Sequence, residues 1–295
     1  MKESKELIGE TWFNELSCMK ELKELIGETW FNELSGEEKD TFCEKYRKAK
    51  EKDTFCKKYR KAKEKILPIE SEDSGIYYAL KKTPLNKVKV LIIGQDPYPN
   101  EKHAHGLAFS IHSGEISGSL KNIFAKIKEE YSKTKSIHRT ANLTEWAEQG
   151  VLLLNRALTY SKNETLPCRI REWSDVINII IKKIIKRQKP LVVILWGKKA
   201  NEIKNFPLEE DEKNQKEGIY ILRSSHPSNM GNAKNKPLEN EKIKPFSEMK
   251  FFKKTNEILE KSDWKTGIDW NTCKYYKTCY KYHKTCFLSN LKKIK

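Results

Sequence analysis

Four short apolar runs punctuate the chain at residues 88–93 (VKVLII), 151–154 (VLLL), 191–196 (LVVILW) and 219–222 (IYIL). None shows helical spacing, so each reads as a strand buried in the interior of a sheet. The segments between them carry the 3.6-residue period instead. Leu120, Ile123, Phe124 and Ile127 share one face of a helix that opens at Gly118 and Ser119 and runs to about Tyr131. Residues 173–185 carry a long apolar side suited to packing on a sheet, residues 251–259 read as a closing helix, and Trp146 marks a further short one. Residues 76–80 form a short apolar element ahead of Pro84. Strands alternating with helices leave one architecture in front: an α/β fold with a central parallel four-stranded sheet and helices on both faces. In such sheets the site lies beyond the carboxyl ends of the strands. That rule predicts that the loop around Asp96, the strand-end residue Asn155, the turn at Gly197 and the loop around His226 meet at one edge.

Composition narrows the function classes. The 295 residues can bury a sizeable core and are expected to form one domain with additions. A net charge of +17 together with many aromatic residues suits a polyanionic partner better than small-molecule metabolism. Nucleic acid leads, and an anionic membrane surface trails. The longest apolar stretches, residues 176–185 and 191–196, are too short to span a bilayer, and Lys182 and Lys183 interrupt the first, so no membrane association is expected. No secretory signal is recognised. Seven scattered cysteines make no disulfide framework and fit a reducing intracellular compartment, cytoplasm or nucleus.

The N-terminal region repeats itself. Residues 1–17 recur as 19–35 with Leu22 in place of Ser4, and residues 38–50 recur as 51–63 with Lys57 in place of Glu44. Two copies do not make a solenoid. At about 100° per residue, an 18-residue offset preserves a helix face, whereas a 13-residue offset rotates it by roughly 220°. Phe42 and Phe55 therefore cannot share one face of a continuous helix. One copy of each pair is expected to dock and the other to be an appendage. We divide the chain into an appendage at 1–22, a main domain at 23–270 containing the partly duplicated helical segment 38–63, and a basic Cys- and Tyr-rich tail at 271–295.

The first strand ends at Gly94 in the stretch GQDPYPNEKHAHGLAFS. Pro97 and Pro99 fix their own φ and push Asp96 and Tyr98 toward extended geometry, mounting two functional side chains on stiff backbone. Taken alone, such a loop reads first as a Pro-rich strand-to-helix turn with one solvated aspartate. Four further motifs decide: AHGLAFS at 104–110, LLLN at 152–155 with a following Leu158-Thr159, VVILWG at 192–197, and SHPS at 225–228. In this order and at these spacings they resemble the family 1 uracil-DNA glycosylases, over roughly residues 23–270.

That resemblance implies removal of uracil from single- and double-stranded DNA by hydrolysis of its N-glycosidic bond, leaving an abasic site for base excision repair, without cofactor or metal. Cleavage builds positive charge on the sugar and negative charge on the departing base. By resemblance Asp96 orients or activates the water and stabilises the cation, and His226 supplies a donor to uracil O2. Asn155 pairs with N3 and O4 and rejects cytosine, Phe109 stacks on the flipped base, Tyr98 excludes a 5-methyl group, and Gln95 lines the wall mainly through its backbone. Ser119 and Ser228 match serines that grip the phosphate backbone. Met230 takes the place of the apolar wedge that fills the gap left by the flipped base.

Several positions depart from the family pattern. Pro99 stands where histidine is usual, Asn100, Glu101 and Lys102 replace a glycine-rich turn, and an insertion, NAKNKPLENEKIKP, follows Met230. Upstream of Trp173, Leu166, Pro167 and Cys168 replace a small-residue–His pattern and remove a polar neighbour of the Asp96 loop. In the tail, Cys273, Cys279, His283 and Cys286 match no common structural zinc spacing, and no metal is expected. The chain is expected to be a monomer, and neither a proteinaceous glycosylase inhibitor nor a replication partner can be identified from its residues. Two rival readings stay open: a catalytically silent DNA-binding or replication scaffold on the same fold, and a glycosylase of broader base specificity, which Tyr98 argues against.

Overall fold

A computed structural model of the chain describes residues 10–58, 66–131, 140–187, 190–203, 218–228 and 243–271. Strands β1 (Val90–Gly94), β2 (Val151–Asn155), β3 (Leu191–Trp196) and β4 (Ile219–Ser224) form one parallel sheet in the order β2-β1-β3-β4. The strand expected from residue 88 starts two residues later, because Val88 caps the 3-10 turn Leu85–Lys87. Every residue of β1, β2 and β3 is buried, which explains why these runs are continuously apolar rather than alternating. β4 lies at an edge and is only half-buried along its middle.

The helices follow in chain order: α1 (Glu10–Ile26), α2 (Glu28–Glu33), α3 (Gly36–Lys58), α4 (Tyr78–Lys82), α5 (Gly118–Glu130), α6 (Thr144–Glu148), α7 (Leu166–Arg187), α8 (Lys198–Asn201) and α9 (Phe251–Glu260). Helix α7 starts seven residues ahead of the expected position, since its first turns carry polar residues that the apolar period does not register. The short α8 after Gly197 was not anticipated at all.

Two aromatic clusters fasten the helices to the sheet. In one, Trp173 of α7 meets Tyr77 edge-on at 6.0 Å, and Tyr77 stacks on Phe42 and Tyr46 of α3. The Tyr77 hydroxyl donates to the Phe42 carbonyl at 2.9 Å. In the other, Trp146 of α6, Phe252 of α9 and Trp270 gather at centroid distances of 5.0 to 6.3 Å, and Trp196 at the end of β3 packs on Phe246, Phe251 and Phe252.

Among the described side chains of the duplicated region, one copy of each repeat is packed into the core. Leu22, Ile26, Trp30 and Leu34, all at most 4% exposed, come from the second copy of the first pair, and Phe42, Cys43, Tyr46 and Ala49 from the first copy of the second. Leu22 is the single position at which the first pair differs, and the copy carrying leucine there packs that residue into the core. The packed region thus begins within the segment assigned to the appendage. Helix α1 runs without a break from the first copy into the second and ends at Gly27, whose φ of 82° lets the chain turn into α2. Phe55 is among the residues whose side chains are not described, so its comparison with Phe42 lies outside them, as does the tail beyond Asn271. Among the described residues no helix is long and apolar enough to cross a membrane.

Trp30 is 1% exposed and its indole N–H donates to the Thr83 carbonyl at 2.9 Å. Trp30→Ala is expected to cost about 3–5 kcal/mol in urea unfolding, through a cavity and an orphaned carbonyl.

Candidate active site

The sheet order places β1 between β2 and β3, and chain connections of the usual right hand leave β1 and β3 toward opposite faces. A crevice opens where they part, at the carboxyl ends of the strands. A cavity of about 420 Å³ lies there, and eight of the nine sequence-derived candidates line it: Gln95, Asp96, Tyr98, Phe109, Ser119, Asn155, His226 and Ser228. The ninth, Met230, falls outside the described residues, as does most of the insertion that follows it.

Register brings Gly94 opposite Asn155. A side chain at Gly94 would put its Cβ 2.2 Å from Asn155 Oδ1 and 2.7 Å from Ala108 Cβ, so only glycine lets the amide lie across the strand end. Asn155 is 5% exposed, yet no group among the described residues bonds its side-chain amide. A nearly buried amide in that state is poised for a ligand with matching donor and acceptor.

The loop after β1 is braced from several sides. The Gly94 and Gln95 carbonyls accept from the backbone N–H groups of Arg156 and Ala157 at 3.1 and 3.0 Å. The Tyr98 hydroxyl is shared with Ser117 Oγ at 2.9 Å and donates to the Phe109 carbonyl at 3.3 Å. Ser117 also caps α5, accepting from Leu120 N–H, so the tyrosine and the helix that carries Ser119 are fixed by one hydroxyl. Phe109 itself has φ of 63°, unusual for an aromatic residue, and its ring meets Trp196 edge-on at 5.2 Å and lies tilted over His226 at 5.9 Å. Backbone strain at a pocket-lining residue of this kind costs about 1–3 kcal/mol and persists only where surroundings impose it. The turn after Tyr98, where the sequence departs from the family pattern, is closed by Asn100: its carbonyl accepts from the His103 and Ala104 N–H groups, and its side chain accepts from Lys102 N–H.

His226 is held from the other side. Gly197, with φ of 86°, approaches so closely that a Cβ there would lie 2.8 Å from the histidine Cβ. Asn122 of α5 donates to the Pro227 carbonyl at 2.6 Å, and Ser225 links to the Lys244 carbonyl and the Phe246 N–H. His226 Nδ1 accepts the Ser228 N–H at 3.1 Å. The proton of the neutral ring therefore resides on Nε2, which becomes a donor. Burial pushes the imidazole below its ordinary 6.5, favouring that neutral form.

Asp96 is 14% exposed at its side chain, and both carboxylate oxygens are engaged. Oδ1 accepts from Gln95 Nε2 at 3.1 Å, so Gln95 contributes a side-chain contact beside its backbone one. Oδ2 pairs with Arg169 Nη2 at 2.6 Å. Arg169 was missed in the sequence because it lies 73 residues from Asp96 in a segment with no motif. Tyr160 and His105 also line the cavity, and His105 is completely buried with Nε2 2.7 Å from Ser110 Oγ. Among the described residues no group of His, Cys, Asp and Glu is arranged to hold a metal ion, and Cys18, Cys43 and Cys168 are unpaired.

Residues 80–260 match the family described as the uracil DNA glycosylase superfamily. A uracil-DNA glycosylase of Mycoplasmopsis pulmonis is 39% identical over 213 residues, covering 70% of this chain and 84% of the relative. A protein of Bacteroides fragilis named uracil-DNA glycosylase 2 is 39% identical over 196 residues, covering 66% and 80%. In fold, the crystal structure of mimivirus uracil-DNA glycosylase superposes with a TM-score of 0.61 at 22% identity, covering 86% of this chain and 93% of that one.

The state of His226 can be read directly. Because its pKa lies below 6.5, acidification through 6.5 should leave the ring mainly neutral, protonating it only at lower pH. Nitrogen-15 NMR of the imidazole should show the Nε2–H tautomer still dominant at pH 6.5. A midpoint at or above that pH would contradict the assignment.

Proposed function

The chain belongs to the uracil DNA glycosylase superfamily, and from that premise we propose that it excises uracil from DNA by hydrolysing the N-glycosidic bond, in the first step of base excision repair. The observation that carries this reading is the amide of Asn155, without a partner among the described residues, which shares one cavity with an ionisable carboxylate, an Nε2–H donor and an aromatic ring. In the proposed complex the flipped base lies on Phe109, and Asn155 reads N3–H with its oxygen and O4 with its nitrogen. Cytosine reverses that donor–acceptor pattern and would leave a buried amide mispaired, a discrimination that hydrogen-bonding sites perform well. Tyr98, held by Ser117 and the Phe109 carbonyl, occupies the space a 5-methyl group would need.

The bond between C1′ and the base nitrogen breaks with its electron pair moving onto the base. The anion gathers charge at O2, where the His226 Nε2–H donates without transferring its proton. The sugar becomes cationic facing Asp96, and a water directed by that carboxylate adds to C1′. One water proton is released and balances the uracil anion. Free uracil and an abasic site remain. Ser119 and Ser228 grip phosphates on either side, and Met230 supplies the wedge that offsets the unstacking cost of a few kcal/mol. Single- and double-stranded DNA are both substrates in this reading, and the +17 charge supports non-specific scanning.

A uracil-containing oligonucleotide incubated with chelator and then treated with alkali should be cut at the uracil; tight binding without scission would favour the silent scaffold. Asp96→Asn should lower the single-turnover rate by roughly 10²–10⁴-fold with DNA binding preserved. Tyr98→Ala should release thymine from a T-containing duplex, and no detectable thymine would refute the methyl-exclusion role.

A further inference from the structure

The second buried ionic group beside the cavity is not one the uracil-reading residues require. Arg169 is 7% exposed at its side chain and lies behind Asp96, which alone of the two lines the cavity. Its guanidinium is held on three sides. Nη1 donates to the Ser161 carbonyl at 3.2 Å and to the Glu164 carbonyl, and the group lies over the Tyr160 ring at 4.6 Å. Nη2 is then left to meet Asp96 Oδ2 at 2.6 Å. The Nε–H is buried with no partner among the described residues, so this placement does not optimise the arginine's own bonding.

We infer that Arg169 is a positioning residue that fixes the plane of the Asp96 carboxylate and aims its free lone pairs at the sugar and the attacking water. The inference rests on the glycosylase reading above. Two anchors, Arg169 on Oδ2 and Gln95 on Oδ1, leave the carboxylate little freedom to rotate. They are unequal: the Gln95 side chain is solvent-exposed, whereas the arginine is nearly buried, so Arg169 sets the geometry. The two charges also form a dipole whose negative end faces the cavity, where the sugar cation develops. Arg169 in turn is placed by the turn that precedes α7 and by that helix's first residues, the segment in which Leu166, Pro167 and Cys168 depart from the family pattern.

The test is a double-mutant cycle in single-turnover conditions with saturating enzyme, together with DNA affinity measured by fluorescence anisotropy. Arg169→Ala should slow uracil release about 10- to 100-fold, as expected for a misaimed catalytic group, with DNA affinity changed less than about twofold. Guanidinium ion added at millimolar concentration should restore part of the rate. Arg169→Lys, which keeps the charge but loses the planar fork, should give an intermediate rate. In the Asp96→Asn background either change should have less than about a threefold further effect, because nothing remains to be aimed. Equal losses in both backgrounds, or an unchanged rate in Arg169→Ala, would overturn the inference. If Arg169→Ala does not fold, Arg169→Lys in the same cycle decides. A wild-type protein that releases no uracil would instead overturn the proposed function, so the two failures are distinguishable.

Discussion

The site depends on one close approach: β1 pairs with β2 so that Gly94 faces Asn155, and the missing Cβ is what lets the amide cross the strand end. Three consequences follow. The Asn155 side chain has no partner among the described residues, the chain leaving β1 turns into the Gln95–Asp96 loop, and Ala108 packs into the same space beside the glycine that the amide oxygen enters. A parallel sheet adds the rest, because all four strands deliver their carboxyl ends to the same edge. Gly197 repeats the device at the end of β3, where its own lack of a side chain admits His226.

Rigidity around the cavity comes from shared atoms rather than from many separate contacts. The Ser117 hydroxyl caps α5 and holds Tyr98, and the Tyr98 hydroxyl reaches the carbonyl of Phe109, whose backbone is in the left-handed region. Asn122, from the same helix, ties down the loop of His226. Helix α5 is therefore a common brace for residues proposed to read the base and to accept its charge. A fixed donor such as His226 Nε2–H requires no reorganisation as charge develops, the condition under which electrostatic stabilisation is most effective.

Much of this was legible in the chain. The four strands, the parallel order of the fold class and the edge at which the loops converge came from hydrophobic period and strand–helix alternation, and residues as remote as Asp96 and His226 were placed together on topology alone. What escaped has common physical causes. Arg169 joins Asp96 across 73 residues through a polar contact with no periodicity to announce it. The early turns of α7 were invisible because an exposed helix start need not be apolar. The left-handed Phe109 had no signal either, since positive φ is ordinarily inferred from glycine, and here a bulky residue adopts it. The docked copies of the repeats were undecidable from near-identical sequences, apart from the one serine-to-leucine difference at Leu22.

The second duplication has a consequence for the entropy of the chain. Lys52 pairs with Glu164 and Glu172, and Leu67 bridges Tyr160, so both ends of the segment containing the extra copy are tethered to one neighbourhood, residues 160–172. Chain inserted between two points that are already close does not have to span any distance. Its penalty is that of lengthening a closed loop, which grows only logarithmically, at about 0.6 kcal/mol per doubling of length. A 13-residue insertion between those two points is therefore thermodynamically inexpensive, although the neighbourhood that holds them also carries Tyr160 of the cavity wall and Arg169 beside Asp96.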